Sequence, residues 1–202
     1  MSASVPLLAA KLLSLERGAR QLFTDLSFEV CPGELWQIVG ANGSGKTSLL
    51  RILAGLSRYG FEGGVTRACP PLYLGHQSAV KGLLTPRENL AWHVAGECEY
   101  GAPQIESALA SVGLHGYEDV PSHTLSAGQH RRVNLARLYL SSAPLWLLDE
   151  PFTAIDRQGI AALETLLEAH VANGGAVLLT SHQPLAVACP VCQLTLPSGA
   201  IQ

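Results

Sequence analysis

The run Gly40-Ala41-Asn42-Gly43-Ser44-Gly45-Lys46-Thr47 matches the pattern G-x-x-x-x-G-K-[ST] at each fixed position. A loop wrapped around a polyphosphate needs backbone N–H groups turned inward, and glycines keep side chains out of that approach. Lys46 supplies a point charge for the β- and γ-phosphates, and Thr47 supplies a hydroxyl for Mg²⁺. Ser48 adjoins this set. Leu35 to Val39 reads as a short buried strand before the loop, and Thr47 to Ala54 as the first turns of a helix after it. That order places a bound anion at a helix N-terminus. About a hundred residues further on, Leu145-Trp146-Leu147-Leu148-Asp149-Glu150 is an apolar run that ends in two carboxylates. By itself it is a buried strand with an acidic end. Paired with a phosphate loop, it assigns Asp149 to the Mg²⁺ shell and Glu150 to orienting and deprotonating an attacking water.

The third element is Leu125-Ser126-Ala127-Gly128-Gln129. Ser126 can cap a helix that begins near Ala127, and Gly128 leaves backbone accessible. Alone this is an ordinary helix start. Some twenty residues before Asp149, it resembles the signature of the ATP-binding cassette (ABC) ATPases, and the resemblance covers nearly the whole chain. It implies ATP as the bound nucleotide, with Mg²⁺. Gln77 then matches the Q-loop glutamine, Asp156 the D-loop aspartate, and His182, after Thr180-Ser181, the switch histidine. The implied catalytic group is Glu150, His182, Lys46 and Gln77, and the implied metal shell is Thr47, Gln77 and Asp149. The implied nucleotide-binding residues are Gly40, Ala41, Asn42, Gly43, Ser44, Gly45, Lys46, Thr47, Ser48, Ser126, Gly128, Gln129 and Arg17. In this family the signature of one protomer closes on the γ-phosphate held by the phosphate loop of the other, so a homodimer around two ATP molecules is implied.

Longer runs resemble one subfamily, the CcmA haem exporter ATP-binding subunits of bacterial cytochrome c maturation. They are Glu16 to Phe23, Gly75-His76-Gln77, Leu125 to Val133, Ala143 to Trp146, Glu150 to Asp156 and Ser181 to Leu185. The resemblance implies a CcmB-like membrane subunit as partner, with CcmC and CcmE in the wider assembly. It places the chain peripherally on the cytoplasmic face of the inner membrane. Two departures from the broad ABC pattern stand out. Ala127 replaces the second signature glycine, as it generally does in CcmA-like sequences. Arg17 falls where many ABC ATPases carry an adenine-stacking aromatic; a guanidinium can stack on a base, or the arginine is simply solvated. Another transported cargo, or a soluble ABC ATPase, are the competing readings. Soluble relatives usually fuse two cassettes or carry a coiled-coil insertion, and this chain has one phosphate loop and no such insertion.

These residues need a scaffold. With 202 residues, the chain is long enough for one domain with a substantial core. Strands and helices alternate, which argues for an α/β fold with a largely parallel sheet. The resemblance makes this a P-loop NTPase: one ABC cassette over 1–202, with a RecA-like core, an antiparallel β subdomain and a small helical subdomain at about 84–140. The segment from Leu84 to Val120 reads as helical. Thr85-Pro86-Arg87-Glu88 is a capping box with proline at the first helical position. Pro103 opens a second helical pattern with Ile105, Leu109 and Val112 on one face. The last strand lies close to the chain end, which leaves no expected room for a C-terminal regulatory domain.

Composition narrows the rest. The net charge of −3 offers no broad basic footprint for nucleic acid. Only 14% of residues are charged, which suggests that a partner covers part of the surface. No apolar stretch approaches the ~20 residues that span a bilayer, and Lys11 interrupts the N-terminal apolar run, so neither a membrane span nor a secretory signal is expected. ATP chemistry without a signal points to the cytosol, where the five cysteines would be reduced. Cys31, Cys69 and Cys189 each precede a proline, a pattern found in haem-regulatory motifs and equally in turns with buried thiols. Cys189-Pro190-Val191-Cys192 has C-x-x-C spacing, but no second pair completes a zinc site.

Overall fold

A computed structural model of the chain describes residues 5–18, 20–94 and 100–197. These fall into two compact units. The first takes in the described residues up to His76, Ala143–Pro151 and those from Glu164 onward. Its strands are β1 (Leu8–Arg17), β2 (Arg20–Val30), β3 (Leu35–Val39), β4 (Glu62–Arg67), β5 (Leu72–Leu74), β6 (Leu145–Leu148), β7 (Ala176–Thr180) and β8 (Val191–Thr195). Among the described residues they form a three-stranded antiparallel sheet in the order β2-β1-β4 and a five-stranded parallel sheet in the order β5-β6-β7-β3-β8. The unbroken apolar runs of β6 and β7 are buried at every residue, as a parallel sheet requires of its central strands. Since the pairing is parallel throughout, β3, β6 and β7 all end on one edge of the sheet. The phosphate loop, the Asp149-Glu150 pair and Ser181-His182 leave from that edge, where ligands bind in open α/β sheets.

Helix α1 (Lys46–Leu53) buries Leu49, Leu50, Ile52 and Leu53 in the core of this unit. Its C-terminal carbonyls at Ile52 and Leu53 accept hydrogen bonds from the Arg67 guanidinium, a cation placed where the helix dipole favours one.

The second unit comprises Gln77–Ser142 and Phe152–Leu163. It contains the residues expected to be helical at 84–140 and a further stretch beyond them. It holds α2 (Pro86–Val94), α3 (Ala102–Ser111) and α4 (Ala127–Ala136), around a core of Leu90, Ile105, Leu109, Val133 and Leu140. Among the described residues, the helical reading of Leu84 to Val120 resolves into α2 and α3. The chain turns out of α3 at Gly113, in the left-handed region at φ 72°, so Val112 is the C-cap of α3, where it still packs against the same core as Ile105 and Leu109. The capping box at α2 is formed: Thr85 N–H donates to Glu88 Oε2 at 2.8 Å and Glu88 N–H to Thr85 Oγ1 at 3.2 Å. Asn89, buried one turn on, accepts from Lys81 N–H and donates to the Lys81 and Thr85 carbonyls, which fixes the approach to the helix. Helix α5 (Arg157–Ala172) follows the Asp149 strand in sequence.

In the first unit the ring of His170 on α5 stacks on Trp146 of β6, with centroids 3.7 Å apart and planes 9° from parallel. A Cβ at Gly175 would run into that ring, so glycine is required there. Burial lowers the His170 pKa from its usual value, against a raising effect from the Pro144 carbonyl. The neutral ring is thus the folded form. Its contribution to stability is complete above the unfolded pKa of about 6.5 and is lost as the pH falls through the depressed folded value. Unfolding measured in denaturant between pH 7 and pH 5 will show stability declining with acid, by at most ~1.4 kcal/mol per pH unit from this group. His170→Phe will keep the stack and remove that component; equal slopes in the two proteins would exclude the ring as its source.

Candidate functional site

Two strands, β3 and β2, shape the phosphate loop in the first unit. Gly45 caps α1 in the left-handed region at φ 99°. A Cβ there would lie 3.3 Å from atoms of Leu22 and Phe23 on β2, so both the turn and the packing demand glycine. Gly40 is excluded from a side chain more simply, because a Cβ would sit 2.7 Å from Ser44 Oγ. Lys46, 8% exposed, donates from Nζ to the Gly40 carbonyl at 2.8 Å and the Ala41 carbonyl at 3.2 Å. Among the described residues no carboxylate pairs with it. Ser44 Oγ is buried and has no hydrogen-bond partner among the described residues. A buried cation held only by neutral carbonyls, an orphaned hydroxyl and a helix N-terminus together suit a phosphate group. Ala41, Asn42, Gly43 and Thr47 are exposed, Ser48 is half-buried, and Arg17 is exposed at the end of β1.

Asp149 follows β6 and is 1% exposed. Its N–H continues the ladder to the Leu74 carbonyl at 2.8 Å, and its Oδ1 accepts from the Thr180 hydroxyl at 2.9 Å. The same Thr180 oxygen accepts the Glu150 N–H at 2.8 Å. Glu150 is in the left-handed region at φ 49°, an uncommon and strained conformation for a side chain of this type. Its Oε1 lies 3.4 Å from Nε2 of His182, whose ring is more than half exposed. The field of the Asp149 carboxylate reaches Tyr73, whose hydroxyl pKa is raised by burial first and by that charge second. The Asp149 carboxylate and the Thr47 hydroxyl are hard oxygen donors of the kind Mg²⁺ takes.

The second unit carries the signature. Ser126 caps α4 as expected: Gln129 N–H donates to Ser126 Oγ at 3.3 Å, and Ser126 N–H donates to Gln129 Oε1 at 2.9 Å. Gly128 has a packing role beyond open backbone, since a Cβ would fall 3.1 Å from the Ala154 carbonyl. Ala154 is itself at φ 61°. Arg132 donates to Asp156 Oδ2 at 2.8 Å and to the Val112 carbonyl at 3.3 Å, which ties α4 both to the segment just before α5 and to the end of α3. Asp156 accepts the Gly159 N–H at the start of α5; that bond first, and the Arg132 charge next, hold its carboxyl below the usual range. Gln77 lies exposed in this unit. Arg137, buried in it, has its pKa pushed down to about 10 by desolvation. Burial raises the pKa of the Cys69, Cys189 and Cys192 thiols, which favours the unreactive protonated form.

Sequence reasoning quoted Thr180 without a role and passed over Gln37. Each had a signal: a polar side chain in or ending an otherwise apolar, central parallel strand must find a buried partner. Gln37 is 6% exposed and Thr180 fully buried.

The family described as ABC transporter matches residues 23–153. The cytochrome c biogenesis ATP-binding export protein CcmA of Pseudomonas savastanoi pv. phaseolicola is 52% identical over 191 residues, covering 89% of this chain and 90% of that one. The protein of the same name from Hahella chejuensis is 50% identical over 212 residues, covering all of both chains. Among solved structures, an ATP-binding subunit of an ABC transporter aligns with TM-score 0.81 at 24% identity, over 96% of this chain and 89% of that one. An ATP-binding cassette solved as a dimer with ADP and Pi aligns with TM-score 0.82 at 19% identity, over 96% and 99%. The phosphate loop, the paired carboxylates and the signature therefore sit in a known frame: the chain belongs to the ABC transporter ATPases and, within them, to the CcmA family.

Proposed function

We propose that this chain is the ATP-hydrolysing subunit of a membrane ABC complex that serves haem export, or the release of a haem-loaded chaperone, in c-type cytochrome biogenesis. The observation that carries the reading is half-identity to CcmA proteins over the full length of both chains. No helix among the described residues is long and apolar enough to cross a membrane. Membrane attachment is thus assigned to a partner, a CcmB-like subunit with CcmC and CcmE in the wider assembly, at the cytoplasmic face of the inner membrane.

Lys46 and the N–H groups of the Gly40–Thr47 loop bind the phosphates of ATP, with Ser48 beside them and Arg17 toward the base. Thr47, Asp149 and Gln77 are the residues that would hold Mg²⁺. When bound, that ion neutralises charge on the phosphate oxygens. Glu150 takes the proton of the attacking water. His182, 3.4 Å from Glu150, fixes the carboxylate and faces the departing phosphate charge. Ser126, Gly128 and Gln129 of a second copy complete the site, so hydrolysis requires a homodimer.

Glu150→Gln will retain ATP binding and lose turnover by ~10²–10⁴-fold, whereas Lys46→Ala will weaken nucleotide affinity itself. Equal affinities in the two variants would refute this division of labour. Thr180→Val, nearly isosteric, removes the hydroxyl shared by Asp149 and Glu150. We expect it to cost ~1–3 kcal/mol of stability and to lower turnover about 10-fold, or ~1.4 kcal/mol of barrier, with ATP still bound. Denaturant unfolding and steady-state ATPase assays check both numbers. Cells lacking the chain will fail to accumulate holocytochromes c while keeping b-type cytochromes, and Glu150→Gln will not restore them. Normal c-type absorbance bands in the deletion strain would defeat the haem assignment and leave the ATPase assignment intact.

A further inference from the structure

Gln37 is the polar residue of the β3 sequence Leu35-Trp36-Gln37-Ile38-Val39, and β3 is hydrogen-bonded to β7 on one side and β8 on the other. Its amide is buried and would be costly there without partners. The partners are specific. Gln37 Nε2 donates to the Ser181 carbonyl at 3.3 Å and to the Gln183 carbonyl at 3.1 Å. These are the carbonyls on either side of His182. The Ser181 hydroxyl closes the turn from above, donating to the Gln183 carbonyl and accepting the Gln183 N–H, both at 3.0 Å. Further along, Ala186 N–H donates to Glu164 Oε1 at 2.7 Å, and Ala188 N–H donates to Glu168. The backbone that carries His182 is thus pinned at both flanks while the ring remains exposed.

We infer that Gln37 is a positioning residue for His182: its amide clamps the two flanking carbonyls and thereby sets the ring against Glu150. The inference rests on the switch role proposed above for His182. Its physical content is that β3 runs directly into Gly40, so one strand fixes both the phosphate loop and the histidine. Without the amide, two buried carbonyls lose their donor, and the Ser181–Gln183 turn can rotate to seek another. A displacement on the order of 1 Å at a reacting group is enough to cost ~10²-fold in rate. Nucleotide affinity is left alone, since among the described residues the Gln37 amide donates to the Ser181 and Gln183 carbonyls and to nothing in the loop.

The test is a double-mutant cycle on the full chain. Gln37→Leu, His182→Ala and the double variant are assayed for kcat and KM with ATP, and for the pH dependence of kcat. Gln37→Leu is expected to lower kcat by about 10–100-fold with KM for ATP unchanged, and to take on the pH profile of His182→Ala. The double variant is expected to be no slower than His182→Ala alone, because a residue that acts only through His182 has nothing left to position. Gln37→Met, which keeps the length of the side chain but has no donor, gives the same cycle if the leucine variant folds poorly. Multiplying losses in the double variant, or a raised KM, would overturn the positioning role while leaving the switch reading in place. Wild-type kcat in His182→Ala would sink both.

Discussion

A carboxylate that is 1% exposed must be held by donors, and Asp149 at the end of β6 imposes that requirement on its neighbours. The Thr180 hydroxyl supplies one such donor, to Oδ1, from the adjacent strand, and the same oxygen accepts the Glu150 N–H. One threonine therefore donates to Oδ1 of the first carboxylate and holds the backbone of the second in a left-handed turn. That turn points Glu150 back toward His182 instead of letting the strand continue. Apolar strands that hand over to polar residues at one edge are the general device: β6 and β7 are buried throughout, and Asp149 just past the end of β6 and Thr180 at the end of β7 serve the site.

The second unit applies the same economy to its own polar groups. Ser126 and Gln129 satisfy each other's backbone at the start of α4, so neither side chain hangs loose in a loop. Arg132 joins α4 to Asp156 and to the end of α3. The ion pair is partly exposed, and its value is less in stability than in fixing the relative placement of three segments. Ala154 fits against the Cα of Gly128 because no side chain stands between them.

Much of this was legible in the chain. The phosphate loop, the buried strand before it and the helix after it follow from glycine spacing and apolar runs, and the Ser126 cap follows from local chemistry. The strand of Leu145 to Leu148 was evident from its unbroken apolar character. Helix extents were less so. The second helical pattern of the stretch from Leu84 to Val120 ran on past Ser111 because its apolar spacing does, but Gly113 turns the chain out of helix. Thr180 and Gln37, polar in apolar strands, signalled that each has a buried partner but not which one. Their partners are 30 or more positions away in sequence, and only the parallel register brings them together.

The lysine of the phosphate loop is already occupied. Its ammonium donates to the carbonyls of Gly40 and Ala41, so under the phosphate-binding role proposed for Lys46 an arriving phosphate does not meet a swinging side chain. It meets a fixed one and must take over from the loop's own oxygens. The binding step is then an exchange of acceptors, which returns part of the electrostatic gain but spares the rotamer entropy of ordering a four-carbon arm. Under that role the loop would trade affinity for readiness, a trade that suits an enzyme which must release its product as often as it binds its substrate.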